Sequence, residues 1–295
     1  MTTIAASVIT YELGKRLGPE AAAAEFLRQA TRSELDTAGD GDDLPAARCV
    51  RRLRRLGDVA LIHDAGGTSI GIGRSRQFTM ALATGADVWI CIDDDLDCSS
   101  DTLKHLLGAL NPEDEQIVIV PYWLRQQTPI VAVTLDPTNP LERVTKTGAR
   151  LRRALTGGFG LVAVTRAAML SMVQAWPGLE YLDGDGETRI GMFIEFIRAG
   201  FWYREDFAFF SRVPRSTRVE ALFSGYTDHA GKPLRLETAD QEPMMQVPRD
   251  ILRMRETCGQ EGGFVDPLRG HVQGRCSFAT GHDGRHSWEP PAKEA

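Results

Sequence analysis

The sequence predicts an α/β fold, a mixed and mostly parallel sheet with helices on both faces. Three observations lead there. Short apolar runs alternate with helical patterns over the first hundred residues, glycine and proline punctuate the joints, and one buried run ends in three aspartates.

Residues 3–10 form a β-tolerant run, followed by an alanine-rich helical pattern from Pro19 to about Ala30. After a polar loop, Pro45 suits the first turn of a helix that Gly57 ends, with Val50, Leu53 and Leu56 inward and Arg51, Arg52 and Arg55 solvated. Val59–His63 reads as the second strand. A glycine-rich turn from Gly66 to Gly73 then leads to a helix stopped by Gly85, and residues 87–92 make a third strand that runs into Asp93, Asp94 and Asp95. Two βαβ units in this space argue for parallel strands, and ligands of such sheets bind beyond the carboxyl ends of the strands. Further strands are expected at Gln116–Tyr122, Ile130–Leu135 and 157–164, a helix at Arg166–Ala175, and a helix from Thr102 with Asp101 as its N-cap.

The chain has 295 residues, 42% hydrophobic and 25% charged, which suits one large domain with a small appendage. The periodicity fades after about residue 240, so the expected boundary separates 1–245 from a tail at 246–295. A net charge of -6 gives no general attraction to nucleic acid or anionic membrane, although Arg150, Arg152, Arg153, Arg212, Arg215 and Arg218 could still form basic patches. The start, Met1–Ser7, does not resemble a signal peptide, and no stretch approaches the ~20 apolar residues of a membrane span. A cytoplasmic protein with reduced thiols is expected from this and from the five cysteines, Cys91 among them lying in an apolar run.

Three adjacent carboxylates repel one another unless a cation neutralises them. Oxygen ligands favour Mg²⁺ or Mn²⁺, which commonly bridge one or two carboxylates to phosphates. Alternate residues, Asp93 and Asp95, share one side if the extended backbone persists. A solvated acidic turn is the other reading of an Asp-x-Asp taken alone.

The stretch Gly73-Arg-Ser-Arg-Gln77, then a helix, then Gly85-Ala-Asp-Val-Trp-Ile-Cys-Ile-Asp-Asp-Asp-Leu96 resembles GT-A-fold, family-2-like glycosyltransferases, which use nucleotide sugars. The resemblance covers roughly residues 3–235 and rests on short motifs. It implies a GT-A-like fold, with Asp95 as metal ligand and Asp93 meeting ribose or metal. It also implies Arg76 facing the nucleotide or its phosphates, and Asp64 near the base. Glu205-Asp206 is similar to the family's Glu-Asp motif, implying Asp206, or else Glu205, as the base that activates the acceptor. Asp228-His-Ala-Gly231 is similar to its His-x-Gly element, implying His229 as a further metal ligand. Gly157-Gly-Phe-Gly160 resembles the element lining the sugar cleft, with a β-bulge as the plain alternative. Asp183 and Asp185 read as a turn, with a weaker acceptor-loop alternative.

In the tail, Cys258, Cys276, His282 and His286 have the spacing of a small structural Zn²⁺ site, with His271 as a substitute ligand and an unstructured tail as the alternative. The expected activity is a metal-dependent transfer of a sugar from a nucleotide-sugar donor to an acceptor hydroxyl on a glycan, protein, small molecule or modified DNA base. The alternatives are a phage-like enzyme acting on hydroxymethylated bases in DNA, a sugar-phosphate nucleotidyltransferase, and a nonenzymatic binding module on a degenerate transferase fold.

Overall fold

The computed structural model describes residues 2–10, 19–32, 43–64, 69–126, 128–198, 201–246, 262–266, 270–276 and 288–289. The first apolar runs become β1 (Thr3–Ile9), β2 (Asp58–Asp64) and β3 (Val88–Asp93). The helical patterns between them become α1 (Pro19–Thr31), α2 (Pro45–Arg54) and α3 (Ile70–Thr84). β1 pairs in parallel with β2 on one side and β3 on the other. The chain therefore reverses direction across β1, and right-handed crossovers then place α1 and α2 on one face and α3 on the opposite one.

Next along the chain come β4 (Leu96–Cys98), α4 (Ser100–Ala109), β5 (Gln116–Ile119), β6 (Val133–Leu135), β7 (Glu142–Val144), β8 (Arg150–Gly157) and β9 (Leu161–Thr165). After α5 (Arg166–Ala175) two hairpins follow, β10 (Glu180–Leu182) with β11 (Thr188–Ile190) and β12 (Phe196–Arg198) with β13 (Phe201–Tyr203). Then come α6 (Glu205–Ser211), β14 (Arg218–Leu222) and a third hairpin, β15 (Tyr226–His229) with β16 (Lys232–Arg235). The main sheet runs β2-β1-β3-β9-β5-β14-β8-β6, with β7 added to β8.

This is the expected mixed α/β class. Most strands run one way and only β8 and β9 are reversed, yet because these two lie between the others, most pairings are antiparallel. Every residue of β5 and β9, and all of β3 except Asp93, is buried, as a sheet covered on both faces requires.

Two local expectations are corrected. Gly71 and Gly73 belong to α3 rather than to the preceding turn, because Ser69 caps the helix by accepting from Ile72 N. A Cβ on Gly71 would come 2.6 Å from the Phe193 carbonyl oxygen, so glycine there permits close packing of the helix. At α4 the cap is Ser99, which accepts from Thr102 N, while Asp101 sits in the first turn. Gly85 ends α3 in the left-handed region at φ 73°, as expected.

The core beneath the carboxyl edge of β3 is aromatic. Trp89 is fully buried and donates to Ser7 Oγ at 2.8 Å. Phe159 sits at the centre, with ring centroids 4.7 Å from Phe193 and 4.6 Å from Phe209. Cys49, Cys91 and Cys98 are buried free thiols. No helix among the described residues is long and apolar enough to cross a membrane.

Beyond residue 246, β17 (Gly262–Asp266), β18 (Gly270–Cys276) and β19 (Trp288–Glu289) form a small antiparallel sheet. Cys276 closes β18, whereas Cys258, His282 and His286 lie outside the described residues.

Candidate functional site

β3 ends at Asp93, and Asp94 and Asp95 form a turn before β4. The extended geometry that would align Asp93 with Asp95 thus stops one residue too early. The turn sends the two carboxylates to different partners. Asp94 contributes its backbone carbonyl, which accepts from Ala46 N at the start of α2.

Asp93 belongs to a cluster built on Arg74. This side chain lies on the same stripe of α3 as Gly71, Ser75 and Phe78, and it is buried. Its guanidinium donates to Asp93 Oδ1 at 3.0 Å, pairs with Asp206 and reaches Glu205 Oε1 at 3.5 Å. Below, it stands 5.4 Å from the Phe159 ring centroid, a cation over an aromatic face. Burial opposes its charge, but Asp206 and Asp93 outweigh that and hold it firmly protonated. One buried cation therefore ties the end of β3 to the first turn of α6.

Asp206 is crowded but still presents 26% of its side chain to solvent. Burial pushes its carboxyl up to about 7, with Glu205 and Asp93 adding to the rise and Arg74 opposing it. A carboxylate in that range exchanges protons near neutrality, as a general base must. Glu195 lies beside Glu205 and within hydrogen-bonding reach of the Trp202 indole; burial and then Glu205 raise its carboxyl.

Asp95 belongs to a second cluster. The β15–β16 turn holds Ala230 and Gly231 at φ 52° and 77°, the positive values of a type I′ hairpin. Ala230 N donates to the Asp95 carbonyl at 3.0 Å, and His229 pairs in register with Leu96. His229 Nε2 consequently lies 3.1 Å from Asp95 Oδ2. Its other nitrogen, Nδ1, is 2.6 Å from the Trp123 carbonyl oxygen, which makes Nδ1 the protonated one. Burial lowers the His229 pKa, favouring the neutral ring. Two lone pairs then face each other.

Asp95 Oδ2 is buried and accepts no well-formed hydrogen bond, although the half-exposed Arg125 guanidinium is packed against it as an ion pair. An oxygen and a nitrogen that converge without a shared proton fit a cation between them. A carboxylate with one imidazole suits a divalent ion that keeps its other positions for water or phosphate. The expected trio of Asp93, Asp95 and His229 is not brought together: Asp93 meets Arg74, while Asp95 and His229 face each other. Among the described residues no group of three or more His, Cys, Asp and Glu side chains is arranged to hold a metal, because Arg74 draws Asp93 away.

Asp64 ends β2 and pairs in register with Ile9, the residue that also pairs with Asp93. Its backbone therefore lies at the same sheet edge; its side chain is outside the described part. Arg76, two positions from Arg74, points to another face of α3 and forms a fork with Asp183, Nε to Oδ2 at 2.5 Å and Nη2 to Oδ1 at 2.9 Å. The structure therefore brings Arg74, not Arg76, to the acidic cluster. Asp185 accepts from Glu187 N in the β10–β11 turn and pairs with Arg189. A Cβ on Gly158 or Gly160 would strike the Tyr122 ring, so these glycines make room for Tyr122, which in turn packs edge-on against His229 at 4.7 Å.

The arginine clusters are largely spoken for. Arg150 pairs with Glu142 and Asp240, Arg152 with Asp240, and Arg218 with Asp114 and Glu220. Arg212 is buried, with three backbone carbonyls as acceptors.

No protein-family model and no curated protein matches the sequence. Three solved structures illustrate its structural neighbours. The chain is similar to A197 from STIV, at 14% identity and TM-score 0.40, over 78% of this chain and 85% of that one. It is similar to GalNAc-T7, solved with UDP, GalNAc and Mn²⁺, at 12% identity and TM-score 0.41, over 78% of this chain but 43% of that one. The third is a mannose-1-phosphate geranyltransferase from Thermus thermophilus, at 11% identity and TM-score 0.38, over 78% of this chain and 77% of that one.

Arg125, Tyr122 and Glu195 lie at the candidate site outside the motifs, and Arg74 lies within a motif whose resemblance points to Arg76 instead. Arg74 alone carries a clear signal, being a charge on the helix stripe otherwise occupied by Gly71, Ser75, Phe78 and Ala81.

Proposed function

We propose that this protein is a metal-dependent glycosyltransferase that moves a sugar from a nucleotide-sugar donor to an acceptor hydroxyl. The observation that carries the reading is the convergence of Asp95 and His229 beside the Arg74 cluster that holds Asp206. Asp95 and His229 would hold a Mn²⁺ or Mg²⁺ ion, which when bound neutralises charge on the donor's diphosphate.

The chain's own residues supply the rest. Asp206 takes the proton of the acceptor hydroxyl as its oxygen bonds to the anomeric carbon, and the bond from that carbon to the diphosphate breaks, releasing the nucleoside diphosphate. Arg74 fixes Asp206 and Asp93 relative to each other, so the base enters the reaction already placed. Asp64 and Asp93, at one sheet edge, are suited to the nucleoside.

The test is hydrolysis of a panel of nucleotide sugars with and without Mn²⁺. Turnover should require the ion and fall at least a hundredfold in Asp95→Ala and His229→Ala. Metal-independent turnover, or none with any donor, would sink the reading.

A further inference from the structure

The β12–β13 hairpin has two unlike faces. Phe196 and Tyr203 are cross-strand partners whose rings stack at 4.7 Å and 11°, and Tyr203 is buried. The next pair, Ile197 and Trp202, lies on the opposite face, 50% and 59% exposed even though β17 runs close to β12. The two side chains leave adjoining apolar surface open to solvent, with Trp202 four residues before Asp206.

The surroundings of Trp202 define a use for that surface. The indole edge is within hydrogen-bonding reach of Glu195, whose carboxyl meets Glu205. The Arg204 guanidinium stands over one face of the Trp202 ring, 5.3 Å from its centroid, so a ligand would stack on the other face. Trp202 precedes Asp206 by four residues, which span at most ~14 Å even fully extended. An apolar ring face, one cation and one carboxylate are thus grouped within reach of the base.

We propose that Trp202, Arg204 and Glu195 form an acceptor subsite for a carbohydrate, a pyranose ring stacking its C–H face on the indole face away from Arg204 while its hydroxyls bond Glu195 and, around the ring edge, Arg204. This rests on the glycosyltransferase reading and names its acceptor class. Sugar rings present an apolar face and a hydroxyl rim, and the rim needs both donors and acceptors. Nucleobases also stack on aromatic rings and arginine. A phosphodiester chain, however, would have to approach Glu195, Glu205 and Asp206 together, and like charges make that approach unfavourable.

The experiment uses the full chain with Mn²⁺ and UDP, and reads saturation transfer by NMR to two probes: a methyl pyranoside series with its β(1→4) disaccharides, and a single-stranded oligonucleotide containing hydroxymethylcytosine. The expected result is transfer to the ring protons of a saccharide face, about tenfold weaker binding in Trp202→Ala, partial recovery in Trp202→Phe, and unaltered melting temperatures, since the side chain is exposed. Binding of the oligonucleotide alone, of neither probe, or of saccharide equally well to Trp202→Ala overturns the subsite. Donor hydrolysis by the unaltered protein, measured alongside, separates the two ideas: hydrolysis without saccharide binding removes the subsite only, and absent hydrolysis removes the glycosyltransferase reading.

Discussion

His229 Nε2 faces Asp95 Oδ2 across 3.1 Å while Nδ1 is committed to the Trp123 carbonyl. The arrangement depends on a hairpin turn more than a hundred residues after the aspartate, and it creates a place where positive charge is needed. The first prediction follows from that need. Mn²⁺ titrated calorimetrically into the protein with UDP present should bind at least tenfold more weakly to His229→Ala and Asp95→Asn. Arg125→Ala should strengthen binding, because it removes the competing cation at Asp95. Equal affinities in all four proteins would show that the ion binds elsewhere.

The second concerns pH. Burial raises the Asp206 carboxyl to about 7, so its basic form accumulates as pH rises through that value, and kcat/KM should climb through the same range. Because the folded pKa lies above the unfolded one, the same shift favours the folded state at low pH, and that advantage is lost as pH rises from about 4 to about 7. Asp206→Asn should abolish the rising limb together with nearly all transfer. A limb that persists in this variant would identify another base.

Arg74→Met should destabilise the fold by about 3–5 kcal/mol, because Asp93, Asp206 and Glu205 would be left crowded without their cation. Denaturant unfolding measures this directly. A loss under about 1 kcal/mol would mean the carboxylates simply share protons.

Gly71→Ala should cost about 1–3 kcal/mol, since its methyl group would be forced against the Phe193 carbonyl. The side of α3 that carries Arg74 would be pushed away from α6, so activity should fall more than stability. Thermal melts paired with donor hydrolysis distinguish the two effects.

Ala230→Asn should stabilise the protein by about 1 kcal/mol. Alanine at φ 52° is strained, and Asn-Gly is the preferred pair for a turn with two positive φ values. No gain in melting temperature would show that contacts, not backbone preference, set the turn.

Residues close in sequence made part of this protein legible. Each feature is encoded within a few residues: the apolar run of β3, Pro45 at the start of α2, the left-handed Gly85, and the bounds of α5, which match expectation to the residue. The acidic motifs were visible for the same reason. Cap selection at α4 was missed because Ser99 and Asp101 are both good caps, and only backbone direction decides between them.

By itself the sequence determined the α/β class and the strand that runs into Asp93, because hydrophobic period and terminal residues are local properties. Only the tertiary structure decided which partners the acidic residues take. Arg74 and Arg76 differ by two positions, about 200° around a helix. Which of them meets Asp206, 132 residues from Arg74, depends on how α3 and α6 pack. Likewise the turn after Asp93 parted it from Asp95, giving one aspartate to an arginine and the other to His229. Contacts over such separations are set by sheet order and packing, which no short motif encodes.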